Sequence, residues 1–458
     1  MPHVAQAVAH AIARATGWIS RRLGRGGGTT LPGVVLLKLR PHAAAELSRS
    51  LVDGSLLISA TNGKTTTARL ICSAADDAGM KTVANPAGSN LLRGITTALL
   101  NADRDAELGI FEVDEAALPA VVDQLKPRTI VLMNLFRDQL DRYGELETLV
   151  QLWHRTVTAL PDSTRLVLNA DDPAVAYLGD GRPNTTYFGL DDTAVARDVQ
   201  GHAADSDHCP RCDHQLDYSM IGMGHLGHWS CPNCGLARPR PAYRVSRVKL
   251  DGAVGFEADL EGPETKTTVR MSLPGLHNAY NAVAAVAAAE AIGVSTDVLA
   301  TSLENTPPAF GRGETIHLQG RQLLLLLAKN PTGVNENIRT ILNEPGDLNT
   351  MILLNDRTAD GQDISWIWDV DFEDFFDHTP SIVAGGDRAH DLALRLEYGG
   401  YPRDRIIIER EVSGALDAAL QATPAGATLY VLPTYTAMLD LRQELGRRGA
   451  AQPFWEDG

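Results

Sequence analysis

Short apolar runs alternate with helical patterns along most of the chain. From about Leu56 onward these runs are brief, rich in Ile, Val and Leu, and closed by polar or turn residues, which is typical of buried strands. The runs are LLISA, GIFEV, TIVLMNL and RLVLNA. Helical patterns lie between several of them, such as TTTARLICSAADDAG, which ends at Gly79. The alternation predicts an α/β fold with a parallel sheet covered on both faces.

The alternation stops at about residue 190 and resumes after residue 245. The segment between is rich in Asp, Gly, His and Pro and has no long apolar period, which indicates an insertion. An Ala-rich helical pattern, NAYNAVAAVAAAEAIG, follows it, and then the Pro-rich segment ENTPPAFGRGE, which is typical of a hinge.

A second set of buried strands lies beyond the hinge. Its runs are LLLLLA, TMILLND, SIVAGGD, RIIIER and LYVLP. We therefore predict an N-terminal helix and lead-in over 1–45, a central α/β domain over 46–303 with an insertion at about 200–240, a hinge over 304–314 and a smaller, Rossmann-like α/β domain over 315–458.

The N-terminal segment has apolar residues at near-helical spacing, followed by arginines. The apolar residues are Val4, Val8, Ile12, Trp18, Ile19 and Leu23, and the basic ones are Arg14, Arg21, Arg22 and Arg25. A secretory signal has its positive charge before the apolar run and a small-residue cleavage site after it, so this order predicts a cytoplasmic protein. Two environments suit such a helix: the surface of an anionic membrane, or the protein's own core.

The amino-acid composition excludes several classes of protein. The 458 residues are 44% hydrophobic and 21% charged, which is typical of a folded chain of about three domains and argues against disorder, collagen or membrane spans. The net charge of −16 argues against a general nucleic-acid binder, because such binding needs a basic face.

The segment SATNGKTTT, from Ser59 to Thr67, lies between a predicted strand and a predicted helix. Such a turn presents backbone N–H groups to phosphate, with a lysine on the outer phosphates and a threonine hydroxyl on Mg²⁺. It departs from the GxxxxGK[ST] pattern, since Ile58 stands where the first glycine would be, and an ordinary strand-to-helix turn is the alternative. The candidate nucleotide-binding residues are Thr61, Asn62, Gly63, Lys64, Thr65 and Thr66.

Three carboxylates end the predicted strand GIFEV and supply candidate magnesium ligands. They are Glu112, Asp114 and Glu115. Magnesium is commonly bound by one or two carboxylates together with substrate phosphates, so we expect one of the three to hold the metal. A solvated strand end is the alternative role for each of them.

The cysteines predict a closed zinc site. Cys209, Cys212, Cys231 and Cys234 form two CxxC knuckles separated by eighteen residues. Four thiolates complete a tetrahedral set with no open position, so we expect the zinc to be structural, and two disulfides are disfavoured in a reducing compartment. Cys72 lies alone in an apolar stretch and is expected to be an inert core residue. The nearby histidines are expected to be exposed, namely His208, His214, His225 and His228.

Six segments together resemble the Mur ligase superfamily, ATP-dependent enzymes that join amino acids to the peptidoglycan precursor. They are SATNGKTTT, the strand end at Glu112, NLFRDQLDRYGE (134–145), LNADDP (168–173), LPGLHNAYNAVAA (273–285) and FGRGE (310–314). The resemblance implies that Lys64 and Thr65 hold the ATP phosphates and magnesium, and that Glu112 binds magnesium.

The same resemblance assigns roles to three residues outside the phosphate loop. It implies that Asn278 contacts adenine, that Asn281 supports that site and that Arg312 approaches the nucleotide from the hinge. A helix N-cap is the alternative role for Asn278.

Two departures from the superfamily pattern concern the metal and substrate sites. Gln139 replaces the histidine of the usual DHLD, and the usual DYAHNP becomes LLAKNP, with Leu326 and Lys329 at the Asp and His positions. The altered LLAKNP segment speaks against an amino-acid-adding ligase.

The C-terminal segments AKNPTGVNE, NDRTADGQDISWIWDVDFE (355–373) and LPTYTAML, with the four-cysteine insertion, resemble the MurT family. Its members are synthetase subunits of the lipid II isoglutaminyl synthase. This resemblance implies amidation of the α-carboxyl of D-glutamate in the lipid II stem peptide through an acyl phosphate, at the cytoplasmic face of the membrane. Ammonia would come from a separate, GatD-like glutaminase subunit. A free-standing amino-acid-adding ligase and a P-loop and zinc-ribbon binding module remain as alternatives.

The cysteine content agrees with a separate ammonia source, because glutaminases commonly use a thiolate nucleophile and no cysteine here is well placed for that role. Asp356, Asp360 and Asp363 are candidates for ammonia handling, partner contact or substrate positioning, and a structural turn is their alternative role. The resemblance favours Asp356 as a catalytic residue near the partner's active site. Trp366 and Trp368 are expected to pack in the core or at an interface.

Overall fold

Two sheets and one hairpin organise the chain in a computed structural model. The structure describes residues 2–22, 29–85, 88–138, 146–197, 205–307 and 311–451. Its helices are α1 (Pro2–Arg22), α2 (Leu31–Leu39), α3 (Ala43–Ser48), α4 (Lys64–Asp77), α5 (Leu92–Asn101), α6 (Leu118–Leu125), α7 (Leu146–Thr158), α8 (Pro173–Tyr177), α9 (Leu276–Ala291), α10 (Thr296–Asn305), α11 (Pro331–Ile341), α12 (Ala389–Tyr398), α13 (Val412–Ala422) and α14 (Tyr435–Arg447). Its strands are β1 (Gly54–Ser59), β2 (Thr82–Ala84), β3 (Leu108–Val113), β4 (Thr129–Leu132), β5 (Arg165–Asn169), β6 (Thr185–Leu190), β7 (Asp217–Met223), β8 (Leu226–Ser230), β9 (Tyr243–Asp251), β10 (Gly255–Glu261), β11 (Lys266–Met271), β12 (Arg312–Leu318), β13 (Arg321–Leu326), β14 (Asn349–Leu353), β15 (Ile382–Gly385), β16 (Ile406–Glu409) and β17 (Thr428–Pro433).

The first sheet has nine strands in the order β11-β10-β9-β6-β5-β4-β1-β3-β2. The strands from β9 to β2 are parallel, and β1 lies between β3 and β4, with Ile58 beside both Glu112 and Val131. The carboxyl ends of these strands therefore meet at one edge, where open α/β sheets bind ligands. The segments that follow β1, β3 and β4 all start from that edge.

Alternation along β1 divides the core between the two faces of this sheet. Leu56 and Ile58 pack with α4 and α9 on one face, whereas Leu57 packs with α5 and α6 on the other. Successive side chains of a strand point to opposite faces, so a short apolar run such as LLIS serves both layers. This confirms the predicted α/β class.

The antiparallel extension β9–β11 was not predicted. These strands pair antiparallel with one another, and β9 alternates buried and more exposed positions from Tyr243 onward. An antiparallel sheet with one wet face carries charged residues at every second position, so it lacks the continuous apolar run by which the parallel strands were recognised.

The second sheet has six strands in the order β12-β13-β17-β14-β15-β16. All neighbours are parallel except β12 and β13. Its two faces bury separate clusters, one that includes α11 and α12 and one that includes α13 and α14. The segment predicted as a hinge contains the end of α10 and the start of β12, while Phe310 lies outside the described residues.

The N-terminal helices form a small layer beside α5. Ala9 and Ala13 of α1 pack in one cluster with Leu36, Ala43 and Leu100. Among the described residues, no helix combines the length and the apolar character needed to span a bilayer.

Candidate active site and metal centre

The phosphate-loop segment turns from β1 into α4 at Gly63. This glycine has φ 93°, and a Cβ atom there would collide with Asn281 Oδ1 of α9, so the turn requires glycine for both its conformation and its close contact. Helix α4 begins at the next residue, Lys64. The first N–H groups of α4 therefore point toward this edge of the sheet, as in an anion-binding helix terminus.

Lys64 is buried and holds partners within the chain. Its Nζ donates to Glu115 Oε2 at 2.8 Å and to the carbonyl oxygen of Ala60. The predicted phosphate lysine thus has a carboxylate partner, and a bound phosphate would exchange one negative partner for another. Glu115, one of the three candidate metal carboxylates, is committed to this lysine.

Glu112 and Thr65 are in contact. The Thr65 hydroxyl donates to Glu112 Oε2 at 2.9 Å, while Asn85 fixes the Glu112 backbone through its side-chain amide. A hydroxyl and a carboxylate at this distance are the pair of oxygen ligands expected for magnesium. Asp114 instead accepts from Ala116 N at 3.2 Å and caps a short helical turn.

Of the other two threonines predicted to bind the nucleotide, one accepts a hydrogen bond from the backbone and both are buried. Thr61 Oγ1 accepts from Phe136 N at 3.0 Å, and Thr66 is buried. Their side chains therefore shape the phosphate-loop segment from within.

Asn62 is held by two asparagines to which the sequence analysis assigned no role. Its backbone N–H donates to Asn134 Oδ1 at 2.9 Å, and its side-chain Oδ1 accepts from Asn330 Nδ2 at 3.0 Å. Asn330 also caps α11 by accepting from Gly333 N at 2.8 Å. An asparagine directly before Pro331 is an N-cap signal, so the cap could have been predicted, but its contact with the phosphate loop could not.

The two asparagines assigned to the adenine site lie at the start of α9. Asn278 Nδ2 donates to Pro274 O at 2.7 Å, and Asn281 Nδ2 donates to Asn278 Oδ1 at 2.9 Å. The alternative role of Asn278 as the helix N-cap is wrong, because Gly275 occupies the cap and Asn278 lies within the first turn. Burial, with a smaller contribution from Arg312, lowers the pKa of the neighbouring His277 to about 4.

Arg312 brings a positive charge from the second sheet to the first. Burial lowers the pKa of its guanidinium, and the nearby Glu112 and Tyr435 oppose this effect. Burial also raises the pKa of Tyr435, which Arg312 lowers and Asp360 raises. Arg312 therefore lies near Glu112, one of the two candidate magnesium ligands. It also lies near Tyr435, which in turn is near Asp360.

Lys329 makes a second contact between the two sheets. Its Nζ lies 2.5 Å from Asp138 Oδ2, and the carboxylates of Asp138 and Glu115 outweigh burial to raise the pKa of Lys329. Lys329, which stands at the position of the superfamily histidine, is thus close to Glu115, the carboxylate partner of Lys64. Gln139, the other departure from the superfamily pattern, lies outside the described residues.

The three candidate aspartates of the C-terminal segment differ in their contacts. Asp356 Oδ2 accepts from Arg388 Nε at 2.8 Å and remains partly exposed. Asp360 is buried and accepts from Thr436 N at 2.7 Å, and Asp363 accepts from Ser365 N at 2.8 Å in a local turn. The turn role therefore fits Asp363, while Asp356 presents a charged pair at the surface.

The two tryptophans after these aspartates differ in exposure. Trp366 packs against the apolar cluster of α11 and α12. Trp368 is exposed, with its ring centroid 5.7 Å from that of Tyr398. Core packing is thus observed for Trp366, and an interface role for Trp368 stays a prediction.

The four clustered cysteines converge on one point. Their sulfur atoms all lie within 4.8 Å of one another, so the set could hold a metal ion. The donor set is four thiol sulfurs, which matches a structural zinc site with no open position. Trp229, on the hairpin strand β8, donates from Nε1 to Ala170 O at 3.0 Å and joins this insertion to the end of β5.

Two of the four histidines near the cysteines, His225 and His228, are not exposed, contrary to the prediction. His225 is fully buried, its ring centroid lies 4.7 Å from that of Phe136, and its Nε2 lies 3.3 Å from Asp172 Oδ2. The prediction was wrong for His225 because Asp172, buried at the cap of α8, provides a polar partner inside the core. His228 is half-buried, whereas His208 and His214 are exposed as predicted.

Cys72 lies on α4 and packs, partly buried, against the core. Burial, with a smaller effect of Asp76, raises the pKa of its thiol to about 12. A thiol in this state is a poor nucleophile at neutral pH.

Comparisons with known proteins identify the family. The Mur ligase middle domain model matches residues 58–227, and the MurT ligase C-terminal model matches residues 327–438. A MurT subunit of lipid II isoglutaminyl synthase (glutamine-hydrolyzing) from Streptococcus pneumoniae is 33% identical over 95% of this chain and 96% of its own length. The chain belongs to the MurT family. It is therefore a Mur ligase-type, ATP-dependent ligase.

Solved structures confirm the fold of this MurT-family chain. A pseudomurein peptide ligase type C from Methanothermus fervidus is similar with a TM-score of 0.69 at 21% identity, covering 86% of this chain and 78% of that one. A MurF ligase from Thermotoga maritima in complex with ADP is similar with a TM-score of 0.65 at 14% identity, covering 91% and 85%. These likenesses concern the fold alone.

Proposed function

We propose that the chain is the synthetase subunit of a two-chain lipid II amidotransferase. It would convert the α-carboxyl of D-glutamate in the lipid II stem peptide to the amide, using ATP and ammonia from a GatD-like glutaminase subunit. Membership of the MurT family supports the substrate and the existence of a partner, since the related pneumococcal protein is named as a subunit of lipid II isoglutaminyl synthase (glutamine-hydrolyzing). The observation that carries the proposal is the meeting of Lys64, Glu112 and Arg312 at the carboxyl edge of the first sheet.

The chemistry requires an activated carboxylate, because a free carboxylate is a poor electrophile. Attack of the carboxylate oxygen on the γ-phosphorus of ATP forms an acyl phosphate and releases ADP. Ammonia then attacks the carbonyl carbon, and phosphate leaves with the carboxylate oxygen. Each step moves negative charge toward oxygens that cations can stabilise.

Two cationic residues and a magnesium ion would supply that stabilisation. Lys64 would leave Glu115 for the outer phosphates, and Arg312 would face the same site from the second sheet. Thr65 and Glu112 would hold magnesium, which when bound neutralises charge on the transferring phosphoryl group. The Asn278–Asn281 pair would orient the adenine, and a chain of similar fold, the MurF ligase, has been solved in complex with ADP.

The ammonia source would lie outside this chain. Four cysteines share one metal-type cluster and the Cys72 thiol is held protonated, so none offers the thiolate on which a glutaminase commonly depends. Asp356, partly exposed beside Arg388, would lie near the active site of the partner and act in delivering ammonia. The cysteine cluster would bind a structural zinc ion.

The product and the fate of oxygen test the reaction. Purified protein would be supplied with ATP, with lipid II whose D-glutamate α-carboxyl carries ¹⁸O, and with ammonium together with a mixture of amino acids. The proposal expects amidated lipid II and one labelled oxygen in the released phosphate. Attachment of an amino acid in place of the amide would support a free-standing ligase instead, and unlabelled phosphate would exclude the acyl phosphate.

The role of Asp356 requires the partner. With the glutaminase present, Asp356→Asn should lower glutamine-driven amidation at least tenfold and leave ammonium-driven amidation near the parent rate. Asp363→Asn is the matched control, since that carboxylate caps only a local turn. If both variants amidate lipid II at the same rate with glutamine, Asp356 has no role in delivering ammonia between the two subunits.

A further inference from the structure

Helix α1 packs on the protein with its small residues and turns its large apolar residues outward. Its packed face consists of small residues, with Ala9, Ala13, Gly17 and Ser20 buried. Its outward face carries large apolar residues that are between 46% and 52% exposed, namely Val8, Ile12, Trp18 and Ile19. A helix that only packs on its own core places its large apolar residues inward, so the outward face lacks its partner in the described chain.

The outward direction of this face is fixed by the fold. Ala9 and Ala13 pack on Leu36 and Leu100, and Arg14 Nη2 donates to Leu100 O at 2.7 Å. At 100° per residue, Val8, Ile12, Ala15 and Ile19 fall on one stripe of the helix. Rotation that buried this stripe would expel the alanines and break the Arg14 contact.

The charged residues of the N-terminal segment before Glu46 are of one sign. No acidic residue precedes Glu46, so all 57 Asp and Glu residues lie from that position onward. Six basic residues precede it, at positions 14, 21, 22, 25, 38 and 40. On the outward face, the Arg22 guanidinium lies 4.3 Å from the ring centroid of Trp18. A basic, apolar segment thus begins an otherwise acidic chain.

We propose that α1 binds the surface of an anionic phospholipid membrane and lies in its plane. Val8, Ile12 and Ile19 enter the boundary between headgroups and acyl chains, and Trp18 lies at headgroup level, where tryptophan is enriched. Arg22, which lies beside Trp18 on the outward face, meets the anionic headgroups, which attract basic side chains. The helix rests on the bilayer, because no described helix is suited to spanning one.

Charge favours a membrane over a protein as the occupant of this face. An anionic bilayer offers negative charge and an apolar layer together, which matches arginine and large apolar side chains on one helix face. The proposal rests on the geometry of α1 and not on the proposed reaction. It nevertheless places the protein beside its proposed lipid-linked substrate, so substrate capture would occur at the surface.

Vesicle sedimentation of the full-length chain tests this proposal. The probes are vesicles of phosphatidylcholine alone and of phosphatidylcholine mixed with phosphatidylglycerol. The parent protein should sediment with the anionic vesicles, and high salt should release most of it. Absence of binding to anionic vesicles at low salt would overturn the proposal.

A double variant, Ile12→Asp with Ile19→Asp, identifies the surface. Both side chains point outward, so the thermal midpoint should stay near that of the parent while vesicle binding falls at least tenfold. Val254→Asp is the matched control, since Val254 is 68% exposed on the turn between β9 and β10. Unchanged vesicle binding by the double variant would overturn the proposal. Loss of self-association or of glutaminase binding, with vesicle binding retained, would also overturn it, because the face would then bind a protein.

Discussion

Lys329 Nζ lies 2.5 Å from Asp138 Oδ2, which links the segment before α11 to the segment after β4. The next residue, Asn330, donates to Asn62 in the phosphate-loop segment at 3.0 Å. Two consecutive residues of the second sheet region therefore contact segments at the carboxyl edge of the first sheet. A shift of α11 relative to β1 would break both contacts.

Lys329→Ala should destabilise the protein more than the loss of one surface ion pair would. The Asp138 carboxylate is buried, and removing its partner leaves an uncompensated charge that costs on the order of 3 kcal/mol. Adding Asp138→Asn should restore most of the loss, because the charge is then gone. Thermal unfolding of the single and double variants measures this, and a double variant less stable than Lys329→Ala would contradict the pairing.

Lys64→Ala should abolish ATP-dependent amidation even with ammonium supplied. Loss of a preorganised cation at a transferring phosphoryl group lowers the rate by about 100-fold or more. Lys126→Ala is the matched control, because that lysine is exposed and pairs only with the exposed Asp123. Steady-state ADP release measures both variants, and a Lys64→Ala rate within a few-fold of the parent would contradict the phosphate role.

His277 should make the fold sensitive to mild acid. Its folded-state pKa is about 4, below the unfolded value of about 6.5, because burial and Arg312 disfavour the charged ring. As pH falls from 6.5 toward 4, the unfolded chain gains a proton that the folded chain does not, so stability falls by roughly 2 kcal/mol at pH 5. This loss should be smaller in His277→Gln.

Thermal midpoints at pH 7 and pH 5 measure this effect. The exposed His214 provides the control variant, His214→Gln, which should lose as much stability as the parent. An identical loss in His277→Gln and in the parent would show that the acid sensitivity arises elsewhere.

The cysteine cluster should contain zinc in equimolar amount with the protein. Cys231→Ser should lose most of it and unfold at lower temperature, because the metal joins the two knuckles around the β7–β8 hairpin. Cys72→Ser should retain the metal, since Cys72 lies apart on α4. Elemental analysis of the purified variants provides the metal content, and a metal-free parent prepared without chelators would contradict the assignment.

Local patterns in the sequence were sufficient to predict parallel strands and the turn after β1. The runs at β1, β3 and β13 are apolar on both faces, and the turn at Gly63 has the composition of a phosphate loop, so the α/β class and the candidate loop could be predicted. Strands β9–β11 alternate charged and apolar residues and were missed for that reason.

Contacts between distant segments could not be predicted in the same way. The Lys329–Asp138 and Asn330–Asn62 contacts depend on how the two sheets dock, which no local period encodes. The burial of His225 depends on Asp172, which is distant in the sequence and itself buried. Charged and polar residues at such positions are interpreted as surface until the tertiary contacts are known.

The source of ammonia tests the central claim most directly. Amidation of lipid II by the purified chain would be measured with ATP and either ammonium or glutamine, each with and without the glutaminase subunit. The account predicts amide from ammonium in both cases and amide from glutamine only when the glutaminase is present. Glutamine-driven amidation by the chain alone, or no amidation from ammonium under conditions where ATP binds, would contradict it.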